Sequence, residues 1–147
     1  MFMAQQPTYD DVNLLLRLYE LRREKKMREA RSWFGANFKC KTMGEFQQLC
    51  PPGSDPNAMY RQMTSYWDMV ASFINTGVLN PELCFSNSRE MLFCWLRVKP
   101  MIEEVRKAFG DKNYLGHLEK ASTAFAEWLD KTSGPGTTEA FAKRIAA

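Results

Sequence analysis

Cysteine and histidine are the residue types in this chain best suited to metal binding or nucleophilic catalysis. The sequence has four cysteines and one histidine. A structural zinc site needs four such ligands in two closely spaced pairs. Cys40 and Cys50 stand ten positions apart, however, and Cys84 and Cys94 have the same separation. A cysteine nucleophile also needs an activating base, and only His117 is available. The spacing therefore indicates free thiols, with no metal, cofactor or catalytic site.

Paired carboxylates are the next candidates for chemistry. Asp10-Asp11 and Glu103-Glu104 are neighbours in sequence. On a helix, neighbouring side chains point about 100° apart, so neither pair converges on one substrate. The glycines that flank Pro135 also lack the lysine and threonine of a phosphate-binding loop. The sequence therefore does not predict an enzyme.

A cluster of basic residues near the start of the chain could neutralise nucleic-acid phosphates or a negative membrane surface. Its members are Arg17, Arg22, Arg23, Lys25, Lys26, Arg28 and Arg31. They spread around the whole helical wheel, and Glu20, Glu24 and Glu29 alternate with them at spacings suited to ion pairs. A helix that reads a nucleic-acid groove would concentrate its charge on one face. The pattern favours a solvated or subunit-bridging helix over a nucleic-acid partner.

These basic residues belong to a predicted long N-terminal helix, which runs from a capping box at Thr8 to Phe34. Apolar residues surround its first half, from Val12 to Leu21, so we expect that half to be buried. Charged residues surround its second half, from Arg22 to Arg31, so we expect that half to project and to pair with a second copy of the chain. The candidate contact surface consists of Arg22, Arg23, Lys26, Met27, Arg28, Trp33 and Phe34.

The predicted core depends on two further helices. The first runs from Met59 to Ile74 and presents a broad apolar arc, with Asp68 on its solvated face. The second has only apolar residues from Met91 to Leu96, including Trp95, so it should be the central helix. Pro100 lacks a backbone N–H and predicts a kink between Leu96 and Pro100 rather than two separate helices.

The fold class that follows is all-α, a single-domain bundle of about five helices with a long N-terminal helix and a proline-kinked central helix. A chain of 147 residues with 45% hydrophobic residues is long enough for one core. We expect one domain over residues 1–147, with residues 1–7 and 134–147 as flexible tails or, for the second, a short docking helix. No signal peptide and no membrane-spanning run are recognised, which favours the cytoplasm.

Three segments carry a family resemblance. They are residues 63–71 (MTSYWDMVA), 77–83 (GVLNPEL) and 93–100 (FCWLRVKP), and Trp33-Phe34 lies upstream of them. In this order they resemble an uncharacterised bacterial family of helical proteins that carries a domain-of-unknown-function label. The resemblance covers roughly Arg31 to Trp128. It implies a helical fold and a bacterial source, and it assigns no catalytic or binding residues.

The function most consistent with these observations is a cytoplasmic protein-interaction or oligomerisation module that forms a homodimer. A small apolar-ligand binding protein is the alternative, with a pocket between the helices lined by methionine and tryptophan side chains. Nucleic-acid binding through the basic N-terminal helix is a third and weaker hypothesis.

The cysteines give the first testable prediction. Because they lack both a metal-ligand set and an oxidising compartment, we expect all of them to be reduced and metal-free. Mass spectrometry before and after reduction, together with elemental analysis, checks this expectation. A mass increase on reduction, or near-stoichiometric zinc, would contradict it.

Overall fold

The computed structural model describes residues 5–146, which form nine α-helices and one 3-10 turn, without a β-strand in that range. The helices are α1 Tyr9–Arg22, α2 Lys25–Asn37, α3 Met43–Leu49, α4 Asp55–Asn75, α5 Pro81–Asn87, α6 Arg89–Val98, α7 Ile102–Phe109, α8 Gly116–Ser133 and α9 Thr137–Ala146. The all-α prediction is confirmed, although the helices are more numerous than the five expected. Within residues 5–146, none of them is long and apolar enough to cross a membrane.

Helix α4 is the element against which the rest of the fold is arranged. Ser54 caps it by accepting a hydrogen bond from the Asn57 N–H, and Pro56 lies in its first turn. Its apolar arc is buried as predicted, with Tyr60, Met63, Trp67, Val70 and Ile74 in the core. Helices α8 and α2 make its most extensive contacts.

The prediction of one long N-terminal helix is wrong, because the chain turns between α1 and α2. Glu24 has an extended backbone, and its carboxylate accepts a hydrogen bond from the Met27 N–H at 3.1 Å, so it starts a new helix. The turn lets Met27, Ala30 and Phe34 pack in the core next to α4. These three residues recur at helical spacing and form one apolar stripe along α2.

Burial along the two N-terminal helices is the reverse of the prediction. In α1 only Asp11 and Leu18 are buried, whereas α2 buries Met27, Ala30 and Phe34. The first half of the predicted helix is therefore largely exposed, and the second half is docked onto the core. Charge around a helix did not prevent docking, because a narrow stripe of three apolar residues was enough.

The α-helix is interrupted at Pro100 as predicted, but the structure has two separate helices there rather than one kinked helix. Pro100 lies in the 3-10 turn Lys99–Met101, which joins α6 to α7. The turn fits proline, which cannot donate to the carbonyl four residues back. Helix α6 buries Trp95 as expected. Arg97 then ties the helix to distant parts of the chain, because its guanidinium donates to the carbonyls of Phe38 at 2.7 Å and of Ile145 at 2.8 Å.

The C-terminal segment is a docked helix. Phe141 of α9 is buried, and α9 packs against α8 and α6. Of the two stretches named as possible tails, residues 1–4 and 147 lie outside the described residues. Residues 5–7 are exposed and have no regular structure.

Asp68 is not simply a solvated residue, which corrects the sequence prediction. Helix α8 follows Leu115, which has a left-handed backbone (φ 54°). The side chain of Leu115 makes no capping hydrogen bond to the helix. Asp68 of α4 supplies the cap instead, because its Oδ1 accepts a hydrogen bond from the Leu118 N–H at 2.9 Å. A carboxylate at a helix N-terminus is favourable both as an acceptor and as a negative charge.

The fold generates a paired stability prediction. Trp95→Ala removes a buried aromatic side chain and should lower the free energy of unfolding by about 3–5 kcal/mol. Asp68→Ala removes the cap of α8 and should cost about 0.5–2 kcal/mol. Urea denaturation of the two variants measures both effects. A midpoint for Asp68→Ala equal to that of the wild type would show that the cap does not stabilise α8.

Candidate interaction surface

The residues predicted to form a contact surface do not lie on one face of the structure. Met27 and Phe34 belong to the core, with exposed fractions of 4% and 0%. Arg22 and Trp33 are half-buried. The remaining members, Arg23, Lys26 and Arg28, are exposed. A surface made of all these residues is therefore not available on this chain.

Several basic residues of α2 are used inside the molecule. The Arg28 Nε donates to the Arg23 carbonyl at 2.9 Å, and an Arg31 Nη donates to the Arg22 carbonyl at 3.3 Å. Both carbonyls lie at the C-terminal end of α1, where a positive charge is favourable. Arg31 also forms an ion pair with Glu90 of α6 at 2.8 Å. These contacts fix the turn between α1 and α2.

The other end of α1 is fixed by a buried carboxylate. Asp11 accepts hydrogen bonds from the Thr8 N–H at 2.7 Å and from the Asn80 N–H at 2.8 Å. The bond from Thr8 is the largest influence on the pKa of Asp11; with the bond from Asn80, it outweighs burial and lowers that pKa. Asn80 caps α5 by accepting from the Leu83 N–H. The pair Asp11 and Asn80 therefore joins the starts of α1 and α5.

A tyrosine hydroxyl fixes the middle of α1. The Tyr66 hydroxyl of α4 donates to the Leu18 carbonyl at 2.5 Å. Burial raises the pKa of Tyr66 to about 12, so the hydroxyl keeps its proton and remains a donor. Helix α1 is thus attached to the core by these polar contacts together with Leu18 and the partly buried Leu14, rather than by a full apolar face.

The outer face of α1 carries an apolar stripe, which we call the outer stripe. It consists of Tyr9, Val12, Leu16 and Tyr19, with exposed fractions of 80%, 40%, 53% and 47%. The sequence predicts that this half of the helix is buried, whereas the structure leaves the outer stripe exposed. Its residues are spaced three, four and three positions apart, which is the heptad spacing of a helix that packs on another helix.

A cleft of about 240 Å³ lies beside the outer stripe, between α1, α4 and the junction of α5 and α6. Its walls are mostly apolar. They are formed by Leu15, Leu16, Leu18, Tyr19, Arg22, Tyr66, Trp67, Val70, Asn87 and Ser88. It is the nearest feature to the pocket expected from the sequence, although tryptophan and tyrosine line it and methionine does not.

The thiols and the histidine do not form a reactive site in the described part of the chain. All four cysteines are buried and free. Burial raises the pKa values of Cys50 and Cys84 to about 11, so these thiols stay protonated and unreactive at neutral pH. His117 is exposed. Residues 5–146 contain no group of histidine, cysteine and carboxylate side chains that could hold a metal ion.

The anchor at Asp11 generates a pH prediction. The pKa of Asp11 is lowered on folding, so its ionised form stabilises the protein above the ordinary pKa of an aspartate. This contribution is lost as the pH falls through the lowered value. Asp11→Asn should therefore lower the urea midpoint at about pH 7, and the difference from the wild type should close as the pH falls through the lowered pKa of Asp11. The exposed neighbour provides the control variant Asp10→Asn. Equal midpoints for Asp11→Asn and the wild type at neutral pH would contradict the assignment.

Comparison with known proteins identifies the chain at family level. The model of a domain of unknown function, DUF4760, matches residues 7–125. Neither the curated proteins nor the solved structures give a significant match. The matched region includes α1 with its outer stripe, both sides of the cleft and most of α8, so it extends the resemblance seen in the sequence towards the N-terminus. The chain belongs to the DUF4760 family.

Proposed function

We propose that this protein is an interaction module that forms a homodimer through the outer stripe of α1. The exposure of the stripe carries the proposal. Its apolar side chains follow one another along a single helix face, and no other part of residues 5–146 buries them. Burial of this face would be favourable, because apolar surface gains free energy in proportion to the area removed from water.

The size of the outer stripe fits a small dimer interface. Two tyrosines and two aliphatic residues at the observed exposures present on the order of 500 Å², a large patch for a monomer. Two copies in contact would bury about 1,000 Å² in total, which reaches the lower limit of specific interfaces. A weak to moderate dimer is therefore expected.

The spacing of the outer stripe favours a second copy as the partner. Heptad spacing lets the side chains of one helix fit between those of an identical helix. A two-fold axis then brings the same patch of each subunit together, as in most soluble homodimers. The polar residues Asn13, Arg17 and Glu20 lie on the neighbouring face of α1 and are exposed. They would form a solvated rim around such an interface.

The proposed dimer contact is shifted from the one expected from the sequence. The earlier surface relied on Met27 and Phe34, which are buried. Some of the basic residues that could bind nucleic acid already make contacts within the protein. Arg31 forms an ion pair with Glu90, and Arg28 contacts the end of α1. The geometry thus supports self-association more strongly than nucleic-acid binding. We also propose a cytoplasmic location, which the free cysteines support because a reducing compartment preserves thiols.

Light scattering coupled to size-exclusion chromatography tests the dimer. The wild type should elute with twice the chain mass of 17.0 kDa at high micromolar concentration. Val12→Glu places a charge in the outer stripe and should shift the protein to monomer, because an unpaired charge is costly in an apolar interface. The control variant Asn113→Glu adds the same side chain at an exposed position outside α1 and should leave the dimer intact.

Circular dichroism of both variants confirms that they are folded. A wild type that remains monomeric would overturn the proposal, and so would a Val12→Glu variant that is folded and still dimeric. If charge reversal at Arg23 and Lys26 abolished the dimer and Val12→Glu had no effect, the dimer interface would be the basic surface predicted from the sequence.

A further inference from the structure

We propose that the cleft between α1, α4 and the α5–α6 junction binds a small amphipathic carboxylate. The apolar tail would lie between α1 and α4, and the carboxylate would pair with Arg22. This inference rests on Arg22 and the lining of the cleft and does not require the homodimer, although Leu16 and Tyr19 belong to both the cleft and the outer stripe.

The volume and lining of the cleft determine the size and character of the tail. A cavity of about 150 Å³ lined by apolar side chains is known to hold benzene, so a cleft of about 240 Å³ has room for a ligand of roughly ten non-hydrogen atoms. Leu15, Leu18 and Val70 contribute aliphatic walls, and Trp67 contributes an aromatic one. An unbranched chain of six to eight carbons, or a single ring with a short substituent, has these dimensions.

Arg22 determines the charge of the ligand. Its guanidinium carbon lies 5.3 Å from the centroid of the Tyr19 ring and 5.3 Å from that of the Trp67 ring, so the two aromatic side chains hold the cation at the cleft. Among residues 5–146, no carboxylate forms an ion pair with it. A half-buried cation without a counter-ion favours an anion beside it.

Glu90 is an acidic residue to consider beside Arg22, because it accepts a hydrogen bond from the same tryptophan. Its carboxylate is already engaged by Arg31 at 2.8 Å and by the Trp67 indole N–H at 3.2 Å. Arg31 therefore neutralises Glu90, and Arg22 keeps its charge for a ligand. A guanidinium matches a carboxylate with two parallel hydrogen bonds. A monoanion also balances the single cation, whereas a phosphate monoester would bring excess negative charge close to Glu90.

Octanoate, octanol and octylamine form a matched set of probes, because they share one tail and differ in head-group charge. Calorimetric titration of the full chain should show octanoate binding at least about ten-fold more tightly than octanol, the effect of one charge-assisted hydrogen-bonded pair. Octylamine should bind more weakly than either. In NMR spectra, octanoate should shift the Trp67 indole N–H resonance.

Arg22→Gln supplies the decisive variant, and Arg17→Gln is its control on the same helix, since Arg17 is exposed and does not line the cleft. Arg22→Gln should weaken octanoate to the level of octanol, and Arg17→Gln should have no effect. The titrations are repeated with Val12→Glu, because Leu16 and Tyr19 belong to both the outer stripe and the cleft. Three results would overturn the proposal. They are a failure of octanoate to bind, binding of octanoate to the wild type with the same affinity as octanol, and a folded Arg22→Gln variant that still binds octanoate as tightly as the wild type does.

Discussion

Three consecutive residues of α4 hold three other helices in place. The Tyr66 hydroxyl donates to the Leu18 carbonyl of α1, the Trp67 indole N–H donates to Glu90 of α6, and Asp68 accepts from the Leu118 N–H of α8. Successive side chains on a helix point about 100° apart, so one short stretch of α4 can contact helices on three sides. Buried polar groups are costly when unpaired. These bonds therefore fix the relative positions of the helices more specifically than apolar packing alone.

The attachment of α1 explains why this helix keeps an apolar outer face. A helix that docks through a complete apolar face leaves a polar face outside. Helix α1 is instead held by Asp11 at its start and by Tyr66 at its middle, while Arg28 and Arg31 contact its end. Because polar contacts carry much of this attachment, many of its apolar residues remain exposed. The outer stripe and the neighbouring cleft are both consequences of that arrangement.

The sequence predicted those features that depend on local spacing. Helix α4 with its buried arc, the apolar segment of α6 and the interruption at Pro100 all follow from residues close together in the chain. The N-terminal helices did not follow, because α1 has apolar residues on several sides and periodicity alone does not say which side faces inward. That choice is made by contacts between distant residues, such as Asp11 with Asn80. The role of Asp68 depends in the same way on Leu118. The sequence predicted Arg22 to be part of a contact surface, and its position beside Trp67 follows only from the fold.

The central claim is that the outer faces of two α1 helices meet, and the distance between spin labels on α1 tests it most directly. A cysteine introduced at Asn13 lies near the middle of α1, so two labels are close whichever way the paired helices run. The native thiols are buried and should not compete for the label. With helix axes about 8–10 Å apart, pulsed electron paramagnetic resonance should find labels within roughly 25 Å of each other. A label at the exposed Asn113 should give a longer distance. Absence of dipolar coupling at Asn13 under conditions where the protein is dimeric would contradict the account.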